Sequence, residues 1–429
     1  MRKLWTALRE FFRKGDLLLL FICVLTSVFG IVVIASATRY MGSSRQVLTQ
    51  SAALMIGILV FVAVSLIDVE LLAEYRLFLM AFNYLFVLLL LFFGKSRGNN
   101  RAWLSVPGLP FDVQPAEICK ITFIIVLAKT MSIYQNQVSS LRSVGSIGLQ
   151  TAIMAGLILV ISKDMGSALV YVFIFLLMAY LGGIRGWWFL GGAAAVAAVG
   201  PYAWEHVLRE DQIERIMMIF DPTIDPTGQG VRWDTNRSIN MISGGGIAGQ
   251  GLFRGALTQN GAIDAQHTDF IFSTIGEELG ILGCILTMLL LTAIIARCIH
   301  TGLKTPNYMN RLICFGVAAM LAFQILINTG MCIGVMPVIG LTLPFISYGG
   351  SSLITLFLAM GVVSSIHMRP DPDSRVQIRV QGKRVRNKEN RNHEGRQQGN
   401  QAGKTRHQQR ARSGRKTPQS TCRQVAGSL

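Results

Sequence analysis

The chain reads as an all-α polytopic membrane protein, with ten transmembrane helices and a large extracytoplasmic loop between the seventh and the eighth. Three observations predict this class. Of 429 residues, 51% are hydrophobic and 15% charged, with a mean hydropathy of +0.46, too few charges for a soluble surface. Apolar runs long enough to cross a hydrocarbon layer of about 30 Å recur along the sequence. The basic residues gather at the two ends and in short connections between runs, as the positive-inside rule requires.

The runs fall at roughly 16–36, 48–67, 77–94, 114–133, 147–163, 166–184, 187–207, 269–297, 311–333 and 345–367. Arg2, Lys3, Arg9, Arg13 and Lys14 hold the basic segment 1–15 in the cytoplasm. The first run fills a whole span with no small-residue cleavage pattern after it, so it is expected to stay as a helix and not to be removed as a signal peptide. An even number of spans returns the other end to the same side. From Met368 onward sixteen Lys or Arg stand against four Asp or Glu, a net +12 of the chain's +17. Segment 368–429 has too few apolar residues for a core and reads as a disordered cytoplasmic tail. Its charge suits anionic lipid and carries no nucleic-acid specificity. The membrane domain is therefore 16–367, with the loop 208–268 facing outward. Arg39 and Arg45, in the first outward connection, run against the charge rule.

Seven cysteines sit mostly inside predicted spans without paired spacing, which argues against a disulfide framework or a cysteine metal centre. The run Ser243-Gly244-Gly245-Gly246 with Gly249-Gln250-Gly251 lacks the Lys-Ser/Thr pair of a phosphate-binding loop. Those glycines suit a loop lying flat over the bundle, after a short amphipathic helix.

Chemistry is expected where charge enters apolar sequence. His267-Thr268-Asp269-Phe270-Ile271-Phe272 places Asp269 where the polar loop becomes a span. Thr268 or Asp269 reads as a helix N-cap, or Asp269 as a working carboxylate. Gln114-Pro115-Ala116-Glu117-Ile118-Cys119-Lys120 starts a helix at Pro115 and sets Glu117 and Lys120 on one face. Intramembrane ions pair or line a polar cavity, so these two are a structural ion pair or a lining that meets an anionic headgroup. Ser162-Lys163-Asp164-Met165-Gly166 adds another outward carboxylate at a tight turn. Trp103 suits a membrane-interface belt. Asp16 and Arg39 bracket the first span as interface anchors. Pro337 to Ser352, with two prolines and several small polar residues, implies broken backbone, tolerated at membrane depth only in protein or along a cavity. Gln324 and Asn328 face the same choice.

Taken together, His267-Thr268-Asp269-Phe270-Ile271-Phe272 with Gly276-Glu277-Glu278-Leu279-Gly280, Gln114-Pro115-Ala116-Glu117 with Lys120, and Leu343-Pro344-Phe345-Ile346-Ser347-Tyr348-Gly349-Gly350-Ser351-Ser352 resemble the SEDS family of RodA, FtsW and SpoVE. The likeness runs from about 16 to 367. It implies a ten-span peptidoglycan glycosyltransferase that polymerises lipid II, the undecaprenyl-pyrophosphate-linked disaccharide peptide. The reaction would run at the outer face of the bacterial cytoplasmic membrane, beside a class B penicillin-binding protein, in cell shape and elongation or in division. It implies Asp269 as the catalytic acid, and Arg101, Trp103, Glu117, Lys120 and Asp164 as substrate-contacting positions. His267, Thr268, Glu277, Ser347, Ser351 and Ser352 would support them. The chain departs from the family at Asp264-Ala265-Gln266, where Pro-Glu is frequent, at Arg237 for Gln, and at Cys332 for Asn.

An inverting transfer needs one base, and Asp269 would take the proton from the acceptor 4-hydroxyl. Arg101, Lys120 or a divalent cation, magnesium or manganese, would compensate the pyrophosphate charge. A lipid II flippase is the alternative, since broken helices and buried charges also mark transport pathways. RodA-like elongation is the expected role.

Overall fold

The computed structural model describes residues 2–369, apart from 98–99, 106–107, 109–110, 207–209, 219–220, 222–224, 226–229 and 231. The tail expected from 368 onward therefore lies almost wholly outside the described residues. Ten long helices follow in chain order: α1 Leu17–Ala37, α2 Arg45–Leu66, α3 Arg76–Phe93, α4 Pro115–Ile133, α5 Leu141–Ser162, α6 Met165–Leu181, α7 Gly186–His206, α8 Ile271–Lys304, α9 Tyr308–Cys332 and α10 Gly350–Met368. Among the described residues seven of them, α1, α2, α3, α5, α8, α9 and α10, are long and apolar enough to cross a membrane, so this is a multi-pass membrane protein. The other three fall short for local reasons. Helix α4 carries Glu117, Lys120 and Lys129, α6 is a 17-residue helix, and α7 is diluted by glycine and alanine.

The helices pack α2 along α10, α8 on α9 and α9 on α6, around a core that includes Phe61, Tyr171, Phe270, Phe345 and Phe357, all 2% exposed or less. Two connections hold structure, one of which the sequence did not signal. After α3 the chain forms a short antiparallel hairpin, β1 Gly94–Arg97 and β2 Asn100–Leu104, with Lys95 opposite Trp103. Leu104 then pairs with Val113, which leads the chain into α4. In the large loop the expected short helix is Trp233–Gly245.

Helix α8 is not the continuous span that its apolar run suggests. At Gly280 the backbone turns to φ 65° and ψ −162°, and the loop segment from Gly246 to Gly251 lies in the break. Gln250 and Gly251 donate to the carbonyls of Glu277 and Glu278, while Ile281 and Leu282 donate to those of Gly246 and Ile247. Backbone groups of residues 277, 278, 281 and 282 freed at the break are thus bonded to the loop. Glycine is required on both sides. A Cβ at Gly280 would lie 2.4 Å from the Gly249 nitrogen, and one at Gly249 would lie 2.1 Å from the Glu278 carbonyl oxygen.

At the far end of α8, Arg297 Nε sits 3.0 and 2.8 Å from the two carboxylate oxygens of Asp16, whose Oδ1 also caps α1 through Leu19 N. Asp16 is therefore a buried tie between α1 and α8 and not the interface anchor expected. The last span also starts later than its apolar run: residues 345–349 are irregular, and Phe345 has φ 65°.

Candidate active site

The segment from Pro337 to Gly349 is the broken backbone expected, and it lines a cavity of about 710 Å³. Trp103 from β2, Glu117 from α4, Asp164 and Ser167 at the start of α6, His267, Thr268 and Asp269 before α8, Gly340 to Thr342, and Ser351 and Ser352 of α10 meet around it. The carboxylates spaced along the sequence at 117, 164 and 269 therefore share one polar space.

Asp269 sits in a turn of its own. Ala265 O accepts from the backbone N–H of Thr268, Asp269 and Phe270 at 3.1, 3.0 and 3.2 Å. The carbonyl of Asp269 accepts from Asn328 Nδ2 at 2.7 Å and faces Cys332 Sγ at 3.8 Å. Ser347 Oγ donates to Thr268 O, and Tyr348 N donates to His267 O at 2.9 Å. Gln50 of α2 braces the same segment through Ser347 O and Gly349 N, at 3.1 and 3.0 Å. Helix α8 is entered at Phe270 without a side-chain cap. The N-cap reading of Thr268 or Asp269 is thus corrected: the backbone of the turn is satisfied by Ala265 and Asn328, which leaves the Asp269 carboxylate directed to the cavity.

Burial raises the Asp269 carboxyl from the ordinary 3.8 to about 6. The negative charge of Asp164 adds to the rise, while a Thr268 hydrogen bond and the charge of Arg215 oppose it. Burial also lowers His267, favouring its neutral ring. Asp164 caps α6, accepting from Ser167 N and Oγ at 3.0 and 2.7 Å and from Gln114 Nε2 at 3.0 Å. The turn reading and the cavity reading of that residue are both realised.

Four of the expected residues do not line the cavity: Arg101 and Lys120, expected to contact substrate, and Ser347 and Glu277, expected to support the site. Arg101 is not among the cavity-lining residues, and its Nε donates to Gly94 O at 3.0 Å within the hairpin. Lys120 is 1% exposed and holds Glu117 at 2.7 Å, so the pair is structural on one side and cavity lining on the other. Ser347 turns its hydroxyl inward to Thr268 O and receives Leu343 N. Glu277 lies outside the cavity altogether, bonded to the loop at Leu257 and Thr258. The substituted positions are engaged too: Arg237 donates to Ala262 O at 2.6 Å and lies 3.9 Å over the Trp233 ring.

Arg45, Gln46 and Gln114 line the cavity and were not singled out as site residues. For Arg45 the signal was present, because its outward position contradicts the charge rule. Asn328, an amide inside an apolar helix, announced a buried partner without naming it. Among the described residues no group of three or more His, Cys, Asp or Glu is gathered for a metal ion.

Apolar helices enclose a hydrophilic cavity with carboxylates in its wall, a polar site built inside a multi-pass membrane protein. Residues 16–371 match the FtsW/RodA/SpoVE family, described as cell cycle protein, and the chain belongs to that family. It is 31% identical over 369 residues to a probable peptidoglycan glycosyltransferase FtsW of Geobacter metallireducens, covering 83% of this chain and 95% of that one. It is 32% identical over 277 residues to the peptidoglycan glycosyltransferase MrdB of Escherichia coli, covering 64% and 73%. A chain from a solved peptidoglycan synthase complex, described by its coordination of polymerization and crosslinking, is 31% identical with a TM-score of 0.70, covering 83% of this chain and 99% of that one. Sequence and fold together match a peptidoglycan glycosyltransferase of the RodA/FtsW type.

Proposed function

We propose that this protein polymerises lipid II into glycan strands, with Asp269 as the general base. The observation that carries the reading is the Asp269 carboxylate in the cavity wall, in the same polar space as Asp164 and Glu117, which burial raises to about 6. At pH 7 such a group is still about nine-tenths ionised, yet it holds a proton about a hundredfold more tightly than an ordinary aspartate. It takes the proton of the acceptor 4-hydroxyl as that oxygen bonds to donor C1. The bond from C1 to the lipid pyrophosphate breaks, and the electron pair leaves with undecaprenyl pyrophosphate. Inversion at C1 follows from this single displacement.

Charge on the leaving pyrophosphate is compensated by Arg45, which lines the same cavity. A divalent cation carried by the pyrophosphate would supply the same charge, and its signature is loss on chelation restored by magnesium or manganese. In this reading all ten long helices span the membrane and both termini are cytoplasmic. The cavity opens outward, and the catalytic unit is 16–367. A partner that crosslinks the strands is the class B penicillin-binding protein. Support comes from the likeness to a chain of a synthase complex whose description joins polymerization to crosslinking.

Purified protein in nanodiscs with lipid II tests the proposal. Asp269→Asn should reduce polymerisation at least about a hundredfold, the usual scale for a general base. Normal polymerisation by this variant refutes the assignment. Transbilayer movement of labelled lipid II without chain growth returns the protein to the flippase class.

A further inference from the structure

Glu277 and Glu278 are 0% and 1% exposed, and the hydrogen bonds they accept among the described residues come from neutral donors. Glu277 accepts from Leu257 N and Thr258 N at 2.8 Å and from Thr258 Oγ1 at 2.6 Å. Glu278 accepts from Ser36 Oγ at 2.7 Å, Gln259 Nε2 at 2.9 Å, Phe253 N at 3.2 Å and Gly255 N at 3.3 Å. Phe253 is held with φ 63°, a conformation that a bulky residue adopts only when its surroundings enforce it. A buried carboxylate is an expensive way to fasten a loop, and apolar packing would hold it at less penalty. What a carboxylate adds is direction: several donors are fixed to one point.

That point connects to the base from both sides. Toward the C-terminus, the first turns of α8 join Asp269 to Glu277. Toward the N-terminus, Thr258 O accepts from Gln266 Nε2 at 2.9 Å, and the same nitrogen donates to Ala37 O at 2.7 Å. Gln266 lies within the turn in which Ala265 O receives the Asp269 amide. The bonds between Glu277 and Thr258 thus close a ring of chain with Asp269 inside it.

We propose that Glu277, backed by Glu278, is a positioning residue for Asp269: it closes the ring from Thr258 to Glu277 and so sets the place of the carboxylate in the cavity. The proposal rests on the reading of Asp269 as the general base. Glu277 touches no substrate and lies outside the cavity, so its effect passes through geometry alone. A displacement of about 1 Å at a reacting group is worth about a hundredfold in rate.

Wild type, Glu277→Gln, Thr258→Val and Asp269→Asn are compared as full chains in nanodiscs. Lipid II polymerisation is read as kcat and KM across pH and normalised to folded protein by thermal unfolding. In Glu277→Gln an amide replaces one accepting oxygen and faces N–H and O–H donors, so the ring loosens. The kcat should fall about a hundredfold, with KM nearly unchanged. The acid limb should move from about 6 toward the ordinary carboxylate range, because water reaching Asp269 relieves the burial that raises it. The other groups acting on Asp269, namely Asp164, Asp234, Arg215 and Thr268, stay in place. Thr258→Val removes one hydroxyl bond and should shift the limb the same way by less, which keeps the test open if Glu277→Gln fails to fold. A loss of kcat with an unmoved acid limb assigns Glu277 a structural role and overturns the proposal. Inactive Asp269→Asn beside wild-type-like Glu277→Gln overturns the positioning role alone. Active Asp269→Asn overturns the base and this proposal with it.

Discussion

Replacing Asp269 by asparagine should stabilise the protein while removing its activity. The folded carboxyl is raised from 3.8 to about 6, chiefly by burial. Its folded value thus lies above its unfolded value, and between about pH 4 and 6 the folded state keeps a proton that the unfolded state has released. Native stability therefore falls as pH rises through that window and stays lower above it. About two units at about 1.4 kcal/mol each give a ceiling of about 3 kcal/mol at neutral pH, reduced by water in the cavity. Asparagine keeps the shape and carries no charge, so Asp269→Asn should unfold at a higher temperature than wild type at pH 7.5, and the gap should shrink to about a third near pH 4.5. Thermal unfolding in nanodiscs at the two pH values measures it. An equal or lower unfolding temperature at pH 7.5, or the same gain at both, refutes the reasoning. A gain in stability joined to a loss of polymerisation is what a buried working charge produces.

Two further outcomes follow from the buried devices of α8. Gly280→Ala places a Cβ 2.4 Å from Gly249 N and 2.5 Å from Ile247 O at φ 65°, so the inserted loop segment must leave. We expect a loss of about 3 kcal/mol or more, with protease cleavage near Gly249. Arg297→Gln strands the Asp16 carboxylate, whose side chain is 0% exposed, and should cost about 3–5 kcal/mol in thermal unfolding. Polymerisation per folded molecule should be unchanged, because Arg297 lies many helical turns along α8 from Asp269. A loss of specific activity in this variant would show coupling between the two ends of the helix.

Much of the architecture is legible in the chain itself. Hydropathy is summed over neighbouring residues, so runs such as Leu17–Ala37 and Tyr308–Cys332 declare membrane helices without reference to anything distant. Charge in such surroundings is equally local evidence, which is why Glu117, Asp164 and Asp269 stand out before any fold is known. Tertiary structure alone decided what each of them meets. Asp164 meets Gln114, 50 positions away, and Asn328 reaches the Asp269 carbonyl across 59. Arg101 and Lys120 carried the right charge for a cavity, yet the hairpin and Glu117 engage them elsewhere. Glu277-Glu278 before Gly280 marks polar residues in the run but not a bend, and the break exists because a loop segment from more than twenty-five residues earlier supplies the hydrogen bonds. Composition determines which segments leave water, since that depends on each residue's own solvation. Which buried polar group satisfies which other depends on how separated segments pack, and hydrogen bonds of about 3 Å are set only when they have done so.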